Sequence, residues 1–233
     1  MKAGISMKDE TVKLTKLNPK LKEFQDDLRS HYTAANKTAK KNQIVFVGSS
    51  LMEIFPIEKF QVEENLGLPL TIYNRGVRAT TTRDVLTHSD TLIFDLKPRK
   101  IFINIGTNDI GFGLSETETL TNYRQLLTKI KEQLPETQVY VMKFYPINAV
   151  DEFIDPRSGE KGHYSDKRTN QNLQAMSDQL GQLAETFGYS YIDVNEQLAD
   201  SDGNLRKELS FDGAHLLPAG YQIVLQNLMP YLR

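Results

Sequence analysis

The sequence contains no cysteine, and no stretch of it is long and apolar enough to span a membrane. The absence of cysteine excludes disulfide bonds, thiolate metal sites and a cysteine nucleophile. Neither sign of charge dominates, because 28 basic residues face 30 acidic ones for a net charge of −2, which argues against nucleic acid as a partner. Residues 1–17 mix Lys, Asp and Glu without an apolar core. They do not resemble a secretory signal, so a cytoplasmic location is expected.

What is present is an ordinary globular composition, with 39% hydrophobic and 25% charged residues in a chain of 233 residues. A chain of this size suits one domain with a substantial core. We therefore predict a single domain over residues 1–233, with a helical N-terminal segment over residues 1–40 packed on it. Apolar side chains recur in that segment at helical spacings of three and four, at Leu17, Leu21, Phe24, Leu28 and Tyr32.

After residue 41 the pattern alternates between short apolar runs and longer amphipathic segments. The short runs are rich in β-branched and aromatic residues, which is typical of strands buried on both faces. They are Gln43–Val47, Thr71–Asn74, Lys100–Ile105, Gln138–Phe144 and Tyr189–Val194. Alternation of strands and helices predicts an α/β fold with three α/β/α layers, flavodoxin-like, around a five-stranded parallel sheet.

Three helices have recognisable ends. Ser115 and Glu118 have the spacing of a capping box at a helix start. A second helix is predicted from about Lys167 to Phe187, where Gly188 suits a left-handed cap, and a third begins at Pro218. The polar segment Ala149–Asp166 is interpreted as an inserted loop.

Polar residues follow four of the predicted strands. Parallel strands joined by right-handed crossovers place the loops that follow them at one edge of the sheet, where ligands bind. The four motifs are Gly48-Ser49-Ser50-Leu51, Asn74-Arg75-Gly76, Gly106-Thr107-Asn108-Asp109 and, after the fifth strand and a polar loop, Asp212-Gly213-Ala214-His215. Each motif alone is also compatible with a structural role, as a capping serine, a turn glycine, an Asx-turn, or a capping aspartate beside a histidine.

Together the motifs supply the parts that acyl transfer requires. A serine hydroxyl can act as nucleophile, a histidine oriented by a carboxylate can act as base, and N–H groups can stabilise the oxyanion. The residues alone leave Ser49 and Ser50 both open as the nucleophile. A second acid-x-x-histidine spacing, Glu160 with His163, follows no strand and is expected to be exposed to solvent.

These motifs, in this order, resemble the SGNH or GDSL-like hydrolases, and within them the group of the platelet-activating-factor acetylhydrolases. The resemblance extends from about Gln43 to Tyr231. It implies that Ser50 is the nucleophile and also an oxyanion donor through its backbone N–H. Gly76 would be a second donor through its backbone and Asn108 a third through its side chain. His215 would be the base, oriented by Asp212. Ser49 departs from the pattern, because it replaces the aspartate of the G-D-S motif.

The resemblance implies a serine esterase that cleaves a small acyl ester through an acyl-serine intermediate, without a cofactor or metal. The expected partner is a small-molecule ester, and the acetylhydrolase group suggests a homodimer. Two alternatives remain open at this stage. The same site could transfer the acyl group to another alcohol, or the protein could be a phosphate- or nucleotide-binding module in which Arg75 and Arg78 assist the Ser50 turn.

Overall fold

The computed structural model describes residues 19–154 and 159–233. Five parallel strands form one sheet in the order β2-β1-β3-β4-β7. Their bounds are β1 Ile44–Gly48, β2 Ile72–Asn74, β3 Lys100–Asn104, β4 Gln138–Met142 and β7 Ser190–Ile192. All five strands predicted from the sequence are present, and the predicted α/β/α arrangement is confirmed.

Helices cover both faces of this sheet. In chain order they are α1 Pro19–Asn36, α2 Ser50–Glu53, α3 Ile57–Glu63, α4 Thr82–Thr87, α5 Ser89–Leu92, α6 Thr107–Phe112, α7 Glu116–Gln133, α8 Asn170–Thr186 and α9 Pro218–Leu232. Two short 3-10 turns, Phe94–Leu96 and Lys207–Leu209, lie between them.

The central strands explain why the core has two halves. Every residue of β1 and β3 is buried, as expected for strands covered on both faces. Because side chains alternate along a strand, Val45 and Val47 enter one hydrophobic cluster while Ile44 and Phe46 enter the other. The first cluster includes side chains of α7 and α8, and the second includes α9. Full burial of one such side chain contributes about 1.5–3 kcal/mol, so the two layers hold the sheet rigidly.

Helix starts follow the capping residues. The Ser115 side chain accepts a hydrogen bond from the N–H of Glu118 at the start of α7, and α9 begins at Pro218, both as predicted. Helix α8 begins at Asn170 instead of about Lys167. Thr169 caps it reciprocally with Asn172, and this fixes the start three residues later than the amphipathic pattern indicated.

The inserted segment differs from its prediction as a loop. It contains a two-stranded antiparallel hairpin, β5 Glu152–Ile154 and β6 Lys161–His163. The strands are only three residues long and mostly exposed, so they lack the apolar run by which the sheet strands were recognised. Phe153 is buried and contacts Gly213, which brings the hairpin against the last of the four predicted motifs.

Helix α1 lies beside the second motif. The Tyr32 hydroxyl donates to the carbonyl oxygen of Gly76 (2.8 Å), and Asn36 Oδ1 accepts from the Arg75 guanidinium. The helical spacing predicted Phe24 on the apolar face of this helix. In the structure the Phe24 side chain is 38% exposed, and the Arg78 guanidinium lies over its ring. Leu17 lies outside the described residues, and the single-domain organisation stays a prediction.

Candidate active site

Ser50 lies where β1 turns into α2, at the carboxyl edge of the sheet. Only glycine fits at position 48, because a Cβ there would overlap the carbonyl oxygen of Asn104 and the side chain of Met52. The tight turn leaves Ser49 buried and Ser50 half-buried. The Ser50 Oγ lies 2.9 Å from His215 Nε2. Of the two adjacent serines, Ser50 is therefore the one whose hydroxyl bonds to the predicted base.

His215 is bonded to Asp212 through its other ring nitrogen, with 2.6 Å between Nδ1 and Asp212 Oδ2. The second carboxylate oxygen, Oδ1, accepts the backbone N–H groups of Ala214 (2.9 Å) and His215 (2.7 Å). Burial alone would raise the pKa of the Asp212 carboxyl, but the hydrogen bond and the electrostatic interaction with the His215 ring, together with the two backbone hydrogen bonds, hold the pKa below its usual value. An ionised carboxylate at this place accepts the Nδ1–H and leaves Nε2 as the acceptor for a serine proton.

The turn that carries this pair is built by its neighbours. Gly213 has a φ of +90°, a conformation that residues with a Cβ rarely adopt. Ser210 Oγ accepts the N–H of Gly213 (2.9 Å) and donates to the carbonyl oxygen of His215 (2.8 Å). On the solvent side, the ring of Phe211 stacks on the imidazole with 5.6 Å between ring centroids. The imidazole plane is thus fixed by contacts besides those of Asp212.

Gly76 lies close to helix α2, since a Cβ at this position would overlap the backbone of Met52 and Glu53. Its N–H donates to Asn74 Oδ1 (2.9 Å), and the Asn74 amide donates in turn to the carbonyl oxygen of Met52 (2.6 Å). The structure therefore brings Gly76 against α2, the helix that begins at Ser50. The N–H of Gly76 already has an acceptor, which sequence reasoning did not anticipate.

Asn108 is the second residue of α6 and is 7% exposed. Its Nδ2 donates to the carbonyl oxygen of Thr80 (2.8 Å), which leaves the second hydrogen of the amide uncommitted. Within residues 19–154 and 159–233, no protein oxygen accepts from the backbone N–H of Ser50. Among the described residues, neither of these two hydrogens has a protein acceptor.

The two arginines of the second motif point elsewhere. Arg75 is 4% exposed, and its guanidinium donates to Asn36 Oδ1 (2.9 Å) and to the carbonyl oxygen of Asn74 (2.8 Å). Arg78 forms an ion pair with Glu53. Their donors serve the packing of α1 and α2, so the structure does not place these arginines as anion ligands of the Ser50 turn.

Sequence reasoning missed two polar residues next to the site, Asp109 and Thr82. Asp109 is fully buried, and its carboxylate accepts from the backbone N–H and the hydroxyl of Thr82. No local signal could have found this pair, because its members are 27 residues apart. An aspartate after Asn108 at a helix start is also indistinguishable from an ordinary capping residue in the sequence.

Two features are absent from the described part of the chain. In the described part of the chain, no group of three or more His, Asp or Glu side chains is arranged to hold a metal ion. Of the helices described, none combines the length and the apolar character needed to cross a bilayer.

Three solved structures illustrate what this chain is similar to. A Streptococcus pneumoniae protein provisionally described as a platelet activating factor shares 28% identity, with 96% of this chain and 99% of that chain covered and a TM-score of 0.81. A GDSL-like lipase from Bacteroides thetaiotaomicron shares 18% identity, with coverage of 88% and 96% and a TM-score of 0.69. An acetylxylan esterase from Geobacillus stearothermophilus shares 16%, with coverage of 84% and 96% and a TM-score of 0.60.

The latter two likenesses show the fold alone, which is that of the SGNH hydrolases. A search of curated protein sequences gives no match. The family model described as GDSL-like lipase/acylhydrolase matches residues 59–223. The match includes Gly76, Asn108, Asp212 and His215, whereas Ser50 precedes it. Because the model matches more than half of the chain, the protein belongs to the GDSL-like lipase/acylhydrolase family.

Proposed function

We propose that the protein is a serine esterase that cleaves a small acyl ester, acetyl or short-chain, through an acyl-serine intermediate. The observation that carries this proposal is the unbroken series of hydrogen bonds from Ser50 Oγ to His215 (2.9 Å) and from His215 to Asp212 (2.6 Å). Ser50 and the Asp212–His215 turn, from two distant parts of the chain, meet with the donor and acceptor order that nucleophilic catalysis requires.

The reaction proceeds in two halves. Nε2 of His215 takes the Ser50 proton while Oγ attacks the ester carbonyl, and Asp212 stabilises the imidazolium that forms. The tetrahedral intermediate collapses, the carbon–oxygen bond to the alcohol breaks, and His215 gives its proton to the departing alkoxide. A water molecule then loses a proton to His215 and attacks the acyl carbon, and the proton returns to Ser50 Oγ as the carboxylic acid leaves.

The oxyanion is stabilised by N–H groups around Ser50. The backbone N–H of Ser50 and the second hydrogen of the Asn108 amide have no competing protein acceptor among the described residues. The N–H of Gly76 shares its hydrogen with Asn74 Oδ1, so we assign it the weaker contribution. One oxyanion donor is worth about 2.7–4 kcal/mol of the barrier. Asn108→Ala is accordingly expected to lower kcat by roughly 10²–10³.

The proposed acyl group follows from the relatives. The Geobacillus protein is described as an acetylxylan esterase, and two of its structures, in which a serine and a histidine are replaced, are described as catalytic mutants. The Streptococcus protein carries a description that concerns platelet activating factor. Because the Geobacillus description names an acetyl group and the two descriptions name different compounds, we propose a short acyl group and leave the alcohol open.

The test is a series of p-nitrophenyl esters of increasing acyl length, measured with the wild type and with Ser50→Ala. We expect the highest kcat/KM for acetyl or another short chain and its loss in Ser50→Ala. Ser49→Ala is the matched control, because Ser49 is buried and lacks the bond to His215. Retention of activity in Ser50→Ala would refute the proposal. Adding competing alcohols and analysing the products separates hydrolysis from acyl transfer.

Two observations argue against a phosphate-binding role for the Ser50 turn. Helix α2 has only four residues, so it offers little helix dipole to an anion. The guanidinium groups of Arg75 and Arg78 are bound to Asn36 and Glu53. The homodimer and the cytoplasmic location stay predictions.

A further inference from the structure

We propose that Asp109 and Thr82 are positioning residues that hold the Asn108 amide in the orientation needed to donate to the oxyanion. The proposal rests on the proposed function, since it assigns a role to groups behind one of its donors. It adds residues that neither touch the substrate nor belong to the Ser50–His215–Asp212 series.

The orientation of the Asn108 amide depends on a single carbonyl group. Nδ2 donates one hydrogen to the oxygen of Thr80 (2.8 Å), and the planarity of the amide then fixes the direction of its second hydrogen. A displacement of the Thr80 carbonyl would therefore turn the donor away from the position of the oxyanion. Reaction rates are sensitive to such misplacement, and about 1 Å can cost roughly 100-fold.

Thr80 lies in a turn that needs external support. The preceding residue, Ala79, has a φ of +56°, which is unfavourable for a residue with a Cβ. Thr80 Oγ1 donates to the carbonyl oxygen of Val77 (2.6 Å) on one side of the turn. On the other side, Thr81 caps α4 together with Asp84. Strained backbone of this kind persists only where the surroundings hold it.

Asp109 supplies that support from the helix that carries Asn108. Its carboxylate accepts from the N–H of Thr82 (3.0 Å) and from the Thr82 hydroxyl (2.5 Å). Asn122 Nδ2 donates to the same hydroxyl (3.2 Å), so the hydroxyl hydrogen is committed to Asp109. Two adjacent residues of α6 thus form hydrogen bonds to the two ends of the turn at residues 80–82. Asn108 bonds to Thr80, and Asp109 bonds to Thr82.

Burying the Asp109 carboxyl group costs free energy of folding. The hydrogen bonds that hold Thr82 in place are what this group provides in return. Asp109 is fully buried, and among the described residues no lysine or arginine forms an ion pair with it. Burial raises the pKa of the Asp109 carboxyl to about 7, although the hydrogen bonds from Thr82 oppose this rise. An apolar side chain would fill the same space at lower cost but could not anchor Thr82.

The test compares Thr82→Val with Thr82→Ser in the wild type and in an Asn108→Ala background, by steady-state kinetics on a short-chain p-nitrophenyl ester. Thr82→Val removes only the hydroxyl and keeps the β-branched shape. We expect kcat to fall by about 10- to 100-fold with KM unchanged, and Thr82→Ser to restore kcat. Thr87→Val is the matched control, since Thr87 is an exposed threonine of the same helix whose hydroxyl bonds within that helix.

Non-additivity separates positioning from a general loss of structure. If Thr82 acts through Asn108, Thr82→Val lowers kcat in the wild type but not in Asn108→Ala. The same fractional loss in both backgrounds would overturn the proposal. Asp109→Asn keeps the shape of the side chain but leaves one acceptor oxygen for the Thr82 donors instead of two, so it is expected to give the same pattern with a smaller loss of kcat.

The failures of the two proposals are distinguishable. A large loss of kcat in Asn108→Ala combined with full activity in Thr82→Val would overturn only the positioning role. Unchanged kcat in Asn108→Ala would remove Asn108 from the oxyanion site and overturn the positioning role with it. Ser50→Ala reports on the esterase itself and is independent of either result.

Discussion

Two segments of this chain share the spacing acid-x-x-histidine, and the structure treats them differently. At Asp212 and His215 the imidazole lies 2.6 Å from the carboxylate and reaches Ser50 Oγ with its other nitrogen. Glu160 and His163 lie at the exposed hairpin, where His163 Nδ1 is 3.1 Å from the carbonyl oxygen of Asp151. The same spacing thus yields a half-buried, hydrogen-bonded pair in one place and solvent-facing side chains in the other, as the sequence indicated for the second pair.

The backbone between the two residues makes this difference. In the first segment the backbone turns at Gly213, and Asp212 Oδ1 accepts the N–H of His215, so the acid and the histidine face the same way. In the second segment residues 161–163 form strand β6, in which successive side chains alternate between faces. Glu160 directly precedes this strand, and no backbone turn of the kind at Gly213 lies between it and His163. The spacing alone therefore does not bring an acid to a histidine, because the conformation of the backbone between them decides.

The largest expected effect comes from replacing each histidine in turn. His215→Ala removes the proposed base and is expected to lower kcat by about 10⁶-fold, as loss of a member of such a triad does. His163→Ala, the matched control, should leave kcat unchanged. Steady-state kinetics on p-nitrophenyl acetate measures both. Equal losses in the two variants would mean that the comparison is wrong.

The next effect concerns the two acids. Asp212→Asn keeps the shape but gives Nδ1 of His215 the wrong partner, and a loss of about 10⁴-fold in kcat is expected from the altered tautomer. Glu160→Gln should behave as the wild type in the same assay. A small effect of Asp212→Asn would indicate that the imidazole is oriented by Ser210 and the stacked ring of Phe211 instead.

Replacing the glycine of each segment, Gly213 or Gly162, is expected to change the free energy of unfolding by different amounts. A Cβ at Gly213 would overlap the backbone oxygen of Asn148 at a φ of +90°, whereas a Cβ at Gly162 would meet open space. Gly213→Ala is expected to lower the free energy of unfolding by roughly 2–4 kcal/mol. Gly162→Ala should change it by less than about 0.5 kcal/mol. Urea denaturation of both variants tests this, and similar values for the two would contradict the role given to the turn.

A last comparison concerns pH and two carboxyl groups, Asp212 in the site and Asp109 behind it. The pKa of Asp212 is lowered and that of Asp109 is raised from 3.8 to about 7. Between pH 3.8 and about pH 7, the Asp109 carboxyl holds a proton in the folded protein that it has lost in the unfolded chain. The group therefore lowers stability as pH rises, by up to about 1.4 kcal/mol per pH unit. The difference in unfolding free energy between wild type and Asp109→Asn should show this slope and flatten above pH 7. A difference independent of pH would contradict the raised pKa.

The sequence predicted the sheet well because buried parallel strands leave a strong signal. Runs such as Ile44–Gly48 and Lys100–Asn104 are apolar throughout, and the rule for parallel connections places the following loops at one edge. The same rule brought Ser50 and His215 to one place, 165 residues apart in the chain. The hairpin at 152–163 escaped prediction because its short strands are mostly exposed and carry no periodic pattern.

The finer parts of the site could not be predicted, for a different reason. Whether the N–H of Gly76 is free depends on the rotamer of Asn74, and whether Asp109 is buried depends on how α4 packs against α7. Neither property leaves a mark in the local sequence. Side-chain contacts between distant segments decide them, whereas spacing and residue type were enough for the nucleophile and the base.

Covalent labelling shows whether the imidazole of His215 activates one particular hydroxyl. The wild type is treated with a fluorophosphonate, digested, and mapped by mass spectrometry, with His215→Ala treated in parallel. We expect a single adduct on Ser50 in the wild type and a large loss of labelling rate in His215→Ala. An adduct on Ser49, or equal labelling rates in the two proteins, would contradict it.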